Sequence, residues 1–174
     1  MADLLTGDLL SIDADLIALP VVDDGPAVWR DALGKPFDRA LADAQATKKP
    51  AVIHPADGPR LAVVAVGEEP GDERWRWAAA AVASAAGGLE LGRVVLAVPP
   101  GEGAATAAAL VEGFLLGSYR YAEYKSDPGP EAPALAVWTE AEPDGLAEAV
   151  ETAEVRAEAT AFARDLVNLS LIHI

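Results

Sequence analysis

Any chemistry in this chain has to run on few groups. The sequence holds two histidines, His54 and His173, and no cysteine. A thiolate nucleophile, a cysteine zinc site and a disulfide are thereby excluded. The histidines do not have the H-E-x-x-H spacing of a zinc-hydrolase helix. No G-x-S-x-G elbow surrounds a serine, so a Ser-His-Asp triad has no frame. His54 stands in the apolar run AVIHP, before a proline, and reads as a structural histidine in a strand. His173 falls in the tail. The run PPGEGAA (99–105) follows a strand pattern and opens a helical one, so its backbone amides could meet an anion. It reads first as a tight strand-to-helix turn.

Carboxylates are plentiful, and most read as solvated faces. Asp13, Asp15, Asp23 and Asp24 flank an apolar run as surface charges do. Glu112 differs, standing in ALVEGFLLG on a helix otherwise almost free of charge. A buried ion is costly unless paired, so Glu112 is expected at an exposed edge or paired with Arg120 or a backbone amide. That is a structural role. No residue is assigned as catalytic, cofactor-binding or metal-ligating.

The charge balance narrows the partners. Asp and Glu number 28 against 13 Lys and Arg, for a net charge of −15. Such a surface repels phosphate backbones and anionic bilayers, so neither nucleic acid nor membrane is expected as a partner. The lysines, Lys35, Lys48, Lys49 and Lys125, form no run. The opening MADLLTGDLLSIDADL lacks a basic n-region, and no stretch approaches 18 uninterrupted apolar residues. The expectation is a soluble, cytoplasmic protein.

The elements that must position these groups follow from hydrophobic patterning. ADLIALPVV (14–22) and RVVLAVPP (93–100) read as buried strands, and ALAVWTE (134–140) as the last strand. AVIHP (51–55) and RLAVVAVGEE (60–69) read as two strands joined by the turn ADGP. DDGPAVW is turn-like. Helices are predicted over 37–46, 71–88, 104–124 and roughly 145–168, with Asp72 capping the second and Gly87-Gly88 ending it. Strands and helices alternate around an early hairpin. The predicted fold is α/β, a three-layer αβα sandwich with a mixed, mostly parallel sheet.

Two details concern packing. Ala109, Gly113 and Gly117 share one helix face, and each glycine costs roughly 1 kcal/mol relative to alanine in a helix. Close approach of a neighbouring element is the expected compensation, beside a packing stripe of Leu110, Phe114 and Tyr121. Trp75 and Trp77 project on different sides of their helix, so at least one is expected at a surface or subunit contact.

Two stretches resemble a known family. LVEGFLLGSYRYAEYKS (110–126), followed by ARDLVN (163–168), is similar to the leucyl aminopeptidase family of cytosolic metallo-aminopeptidases. There an E-G-x-x-L-G-x-Y-type helix belongs to an N-terminal, macro-domain-like α/β domain. The A-R-D-L-V-N segment leads into the catalytic domain, normally continuing as T-P-P. Here the sequence departs at Leu169 and reads LSLIHI. The runs N-T-D-A-E-G-R and V-G-K-G that build the two-metal peptidase site do not occur.

The resemblance implies an N-terminal domain over 1–144, an interdomain connector helix over 145–168, and a tail, 169–174, that does not match the family. It also implies a partner catalytic domain outside this sequence, two divalent ions (Zn or Mn) in the full enzyme, and a homo-oligomer, typically a hexamer. On this reading the domain is a scaffold, and the terminal helix with its apolar Val155, Phe162 and Leu166 is a connector awaiting its partner. A second resemblance points elsewhere. TGDLLSIDADLIALPVV (6–22) is similar to the opening of macro domains, in which Asp8 of Gly7-Asp8-Leu9-Leu10 would contact the adenine of ADP-ribose. The asparagine-rich segment expected after the strand is PVVDDG here, which counts against a stand-alone nucleotide-binding module.

Overall fold

Successive residues of the central strands bury on opposite sides of one sheet, which requires helices on both of its faces. The computed structural model describes residues 1–87, 89, 91–122, 126 and 132–172, with 170–172 as backbone only. Its strands are β1 (Asp3–Leu5), β2 (Leu16–Val21), β3 (Ala51–Ile53), β4 (Arg60–Ala65), β5 (Arg93–Ala97) and β6 (Ala134–Trp138). Between and after them run α1 (Ala27–Leu33), α2 (Lys35–Thr47), α3 (Glu73–Ala86), α4 (Ala104–Ser118) and α5 (Leu146–Ile172). The sheet order is β1-β6-β5-β2-β4-β3. Every pairing is parallel except β3 with β4.

Leu16, Ala18, Val94, Leu96 and Val137 face one core, beneath α3, α4 and α5. Ile17, Leu19, Val95, Ala136 and Trp138 face the other, beneath α1 and α2. The period-two alternation thus serves two apolar layers, as expected of parallel strands covered on both faces. The three-layer α/β sandwich and the β3–β4 hairpin agree with the sequence reading.

Pro20 explains where the β2–β5 pairing stops. Val21 offers its carbonyl to Val66 on the β4 side, so Pro20 turns its backbone toward β5. Proline has no N–H to give, and the β2–β5 register runs only from Leu16–Val94 to Ala18–Leu96. No β2–β5 pair follows Ala18–Leu96.

Several expectations need correction. DDGPAVW is not all turn: Pro26 stands in extended geometry at the N-cap of α1, and Trp29 is buried in the helix. The short edge strand β1 escaped the sequence reading. Asp72 makes no side-chain cap bond to α3. Helix α4 ends at Ser118, because Tyr119 turns out to extended ψ; the rest of the 104–124 prediction is not helix through Ala122 and beyond that lies outside the described residues. Helix α5 continues past 168 to Ile172.

Candidate functional site

Helices α3 and α4 meet through small residues. A Cβ on Gly113 would lie 2.3 Å from the Arg76 carbonyl oxygen, and one on Gly117 would lie 2.8 Å from Ala80 Cα. Both glycines therefore admit the α3 backbone, and this contact is the compensation expected for placing them in a helix. Trp75 is 1% exposed in the core, while Trp77 is 60% exposed.

Glu112 has a partner, though not Arg120 or a backbone amide. Arg76 Nε donates to Glu112 Oε2 at 3.0 Å, and the two side chains are 30% and 17% exposed. Burial opposes the Arg76 charge, but the Glu112 bond together with the fields of Glu112, Glu73 and Asp72 outweighs it and raises the guanidinium pKa. Arg120 instead donates to the Gly87 carbonyl. The pairing is structural, joining α3 to α4.

The PPGEGAA turn carries its own anion. Glu102 stands just before the α4 N-terminus, accepting a hydrogen bond from Thr106 Oγ1 at 2.7 Å and lying 4.0 Å from Arg74 Nη2. A carboxylate there satisfies the positive end of the helix dipole. An external anion would meet like charge.

The remaining candidates do not converge. His54 is exposed just beyond β3 rather than within a strand; His173 lies outside the described residues. Asp8 bonds its own turn, accepting from Leu10 N at 3.2 Å and Ser11 Oγ at 2.6 Å. It edges a cleft of about 190 Å³ walled by Leu19, Trp29 and Trp138. Among the described residues no group of three or more His, Asp or Glu is placed to hold a metal ion, so the donors present do not fit one. Asp15 proved more than a surface charge: its Oδ2 accepts from Gly92 N at 2.7 Å and Arg93 N at 2.9 Å, fixing the start of β5 beside β2. Nothing local in the sequence separates it from Asp13.

The strongest unassigned feature is α5. Leu146, Val150, Ala153 and Ala157 are buried against the domain. Past Ala157 no described residue of the helix is buried. Val155, Phe162, Leu166 and Leu169 instead form an exposed apolar seam, with Phe162 62% exposed. Monomeric surfaces seldom carry such a strip without a covering partner. No helix among the described residues is long and apolar enough to cross a membrane.

Among the described residues, this mixed, mostly parallel α/β sandwich brings no candidate catalytic or metal-binding groups together. Comparison with known proteins gives the family. Residues 42–128 match the model of the N-terminal domain of the cytosol aminopeptidase family. The chain belongs to that family, and the matched region is its N-terminal domain.

A probable cytosol aminopeptidase of Methylorubrum extorquens is 33% identical over 182 residues, covering 93% of this chain and 34% of that protein. One of Chlorobium luteolum is 35% identical over 135 residues, covering 68% of this chain and 26% of that protein. The matched part of this chain thus spans about a quarter to a third of these two relatives. Among solved structures, a mutant of tomato leucine aminopeptidase shares the fold at a TM-score of 0.73 and 16% identity, over 97% of this chain and 38% of that one. The bottromycin maturation enzyme BotP aligns at a TM-score of 0.62 and 30% identity, over 89% of this chain and 33% of that one. A second BotP structure is in complex with Mn. These matches give the nucleotide-binding reading no support.

Proposed function

We propose that this chain is the non-catalytic, scaffolding N-terminal domain of a metal-dependent leucyl aminopeptidase that removes N-terminal residues from peptides in the cytoplasm. The match of residues 42–128 to the family's N-terminal domain carries the reading. The peptidase site, with its two Zn or Mn ions, belongs to a C-terminal catalytic domain. There the metals would activate a water and polarise the scissile carbonyl. Residues 1–144 form the domain proper. From residue 145 the chain becomes a connector helix whose exposed seam of Val155, Phe162 and Leu166 docks the catalytic domain, within a homo-oligomer such as a hexamer. The strongly acidic surface favours neither nucleic acid nor bilayer as a partner.

An exchange experiment tests the scaffold role. This chain replaces the corresponding first third of the Methylorubrum relative, and assembly and leucine-amide hydrolysis are followed together. The chimera is expected to assemble and turn over substrate, and a Phe162→Asp, Leu166→Asp version to lose both. A doubly substituted chimera that assembles and works as well as the parent would contradict the proposed docking.

A further inference from the structure

The two sequence stretches that suggested the family touch each other. Tyr119 follows the last residue of α4, and its Oη donates to Asp165 Oδ1 at 2.6 Å. Asn168 Nδ2 donates to the same Oη at 3.2 Å. Arg164 lies over the Tyr119 ring at 5.4 Å, and its Nη1 donates to the Leu116 carbonyl at 3.1 Å. Leu116 is in the last turn of α4, where carbonyls lack helical partners and a cation is favoured. Arg164 therefore acts as a C-terminal cap supplied from another helix.

These contacts lie where apolar packing has run out. Burial of α5 ends at Ala157, yet the helix holds its course alongside the end of α4 for three further turns. Arg164, Asp165 and Asn168 reach the end of α4, while Phe162 and Leu166, both largely exposed, border an open cavity with Arg120, Tyr121 and Ala122. Tyr119 can reach across because α4 stops at Ser118.

We infer that Tyr119 is a latch, closed by Arg164, Asp165 and Asn168, that sets the heading of the distal half of α5 and thereby the placement of the catalytic domain that docks beside it. That placement of a catalytic domain rests on the function proposed above; the latch itself does not. The charged groups around the phenol are Arg164 and Asp165 from α5 and the adjacent Arg120. Asp3, Glu154, Glu158 and the Met1 amino group line the cavity on its other side.

Loss of solvent around the ring, and then the Asp165 bond, raise the phenol's pKa above its ordinary value. The sign follows from linkage: the folded chain holds this proton more tightly than the unfolded one. The latch contributes fully below the ordinary tyrosine range and is lost as pH rises through the raised value. Above it, a phenolate would face the Asp165 carboxylate.

The absence of native cysteine permits a clean distance measurement on the chain itself. Spin labels at Val52→Cys on β3 and Val167→Cys on α5 report the heading of the distal helix by pulsed electron resonance. At neutral pH the unsubstituted latch should give one narrow distribution. Tyr119→Phe, which keeps the ring, and Arg164→Ala should each broaden it, and the double variant should roughly double its width. With Tyr119 present the distribution should also broaden through tyrosine ionisation, a response the Phe variant should lack. A double variant as narrow as the parent, or an alkaline response that persists without the hydroxyl, would overturn the latch. Neither readout needs the peptidase, so an inactive or differently employed enzyme leaves this result standing.

Discussion

Arg76 Nε donates to Glu112 Oε2 at 3.0 Å, while the Arg76 backbone rests against Gly113, the next residue along α4. Two adjacent positions of one helix thus serve a single contact with another. Glu112 takes the side chain and Gly113 admits the main chain. The charge that stood out in an apolar helix and the glycine that weakened it have the same explanation.

Gly113→Ala should destabilise the fold. The added methyl meets backbone at 2.3 Å, and backbone cannot rotate aside. Overpacking costs about 1–3 kcal/mol, and a clash with backbone belongs at the upper end of that range, above the roughly 1 kcal/mol that alanine returns in helix propensity. Urea denaturation of the two chains measures it; equal or greater stability in the variant would mean that α3 and α4 are not in this contact.

Glu112→Gln and Arg76→Gln should each cost about 1 kcal/mol, and a double-mutant cycle should give a favourable coupling of about 0.5–1 kcal/mol. The pair is partly shielded, at 17% and 30% exposure, so its value lies near the upper end for an exposed pair. Coupling indistinguishable from zero would show that the ions are merely adjacent.

The two tryptophans of α3 should separate cleanly. Trp75→Ala removes a side chain with 1% exposure and should cost about 3–5 kcal/mol. Trp77→Ala should change stability by less than about 0.5 kcal/mol and remove most of the fluorescence accessible to iodide. Denaturation and quenching on both variants check this, and strong residual quenching without Trp77 would speak against the placement.

The seam on α5 should make the isolated chain associate weakly, more so in salt, which screens the mutual repulsion of chains carrying −15 each. Phe162→Glu with Leu166→Glu should abolish the association. Sedimentation across concentration and ionic strength measures it.

Sheet, layers and helix faces were legible because apolar periodicity records burial directly: the runs at β2, β4, β5 and β6 and the small-residue stripe of α4 all had the role their patterns implied. What was missed has a common physical cause. The strand β1 is only three residues long, too short for any period to show. Arg76 as the partner of Glu112, Asp15 on the β5 amides, and Tyr119 on Asp165 lie 36, 78 and 46 residues apart. Such pairings are created by the fold and leave no local trace. The end of α4 was hidden because Tyr119 and Tyr121 fit a helical pattern, and nothing local marks the extended ψ at Tyr119 with which the helix stops.

The role proposed for this domain, supporting a peptidase without performing its chemistry, can be tested directly. The most direct measurement is release of product from a leucine amide by the purified chain, with Mn²⁺ or Zn²⁺ added and against metal alone. No turnover above that background is expected. Metal-dependent turnover that follows the chain through purification and is abolished by a chelator would contradict it.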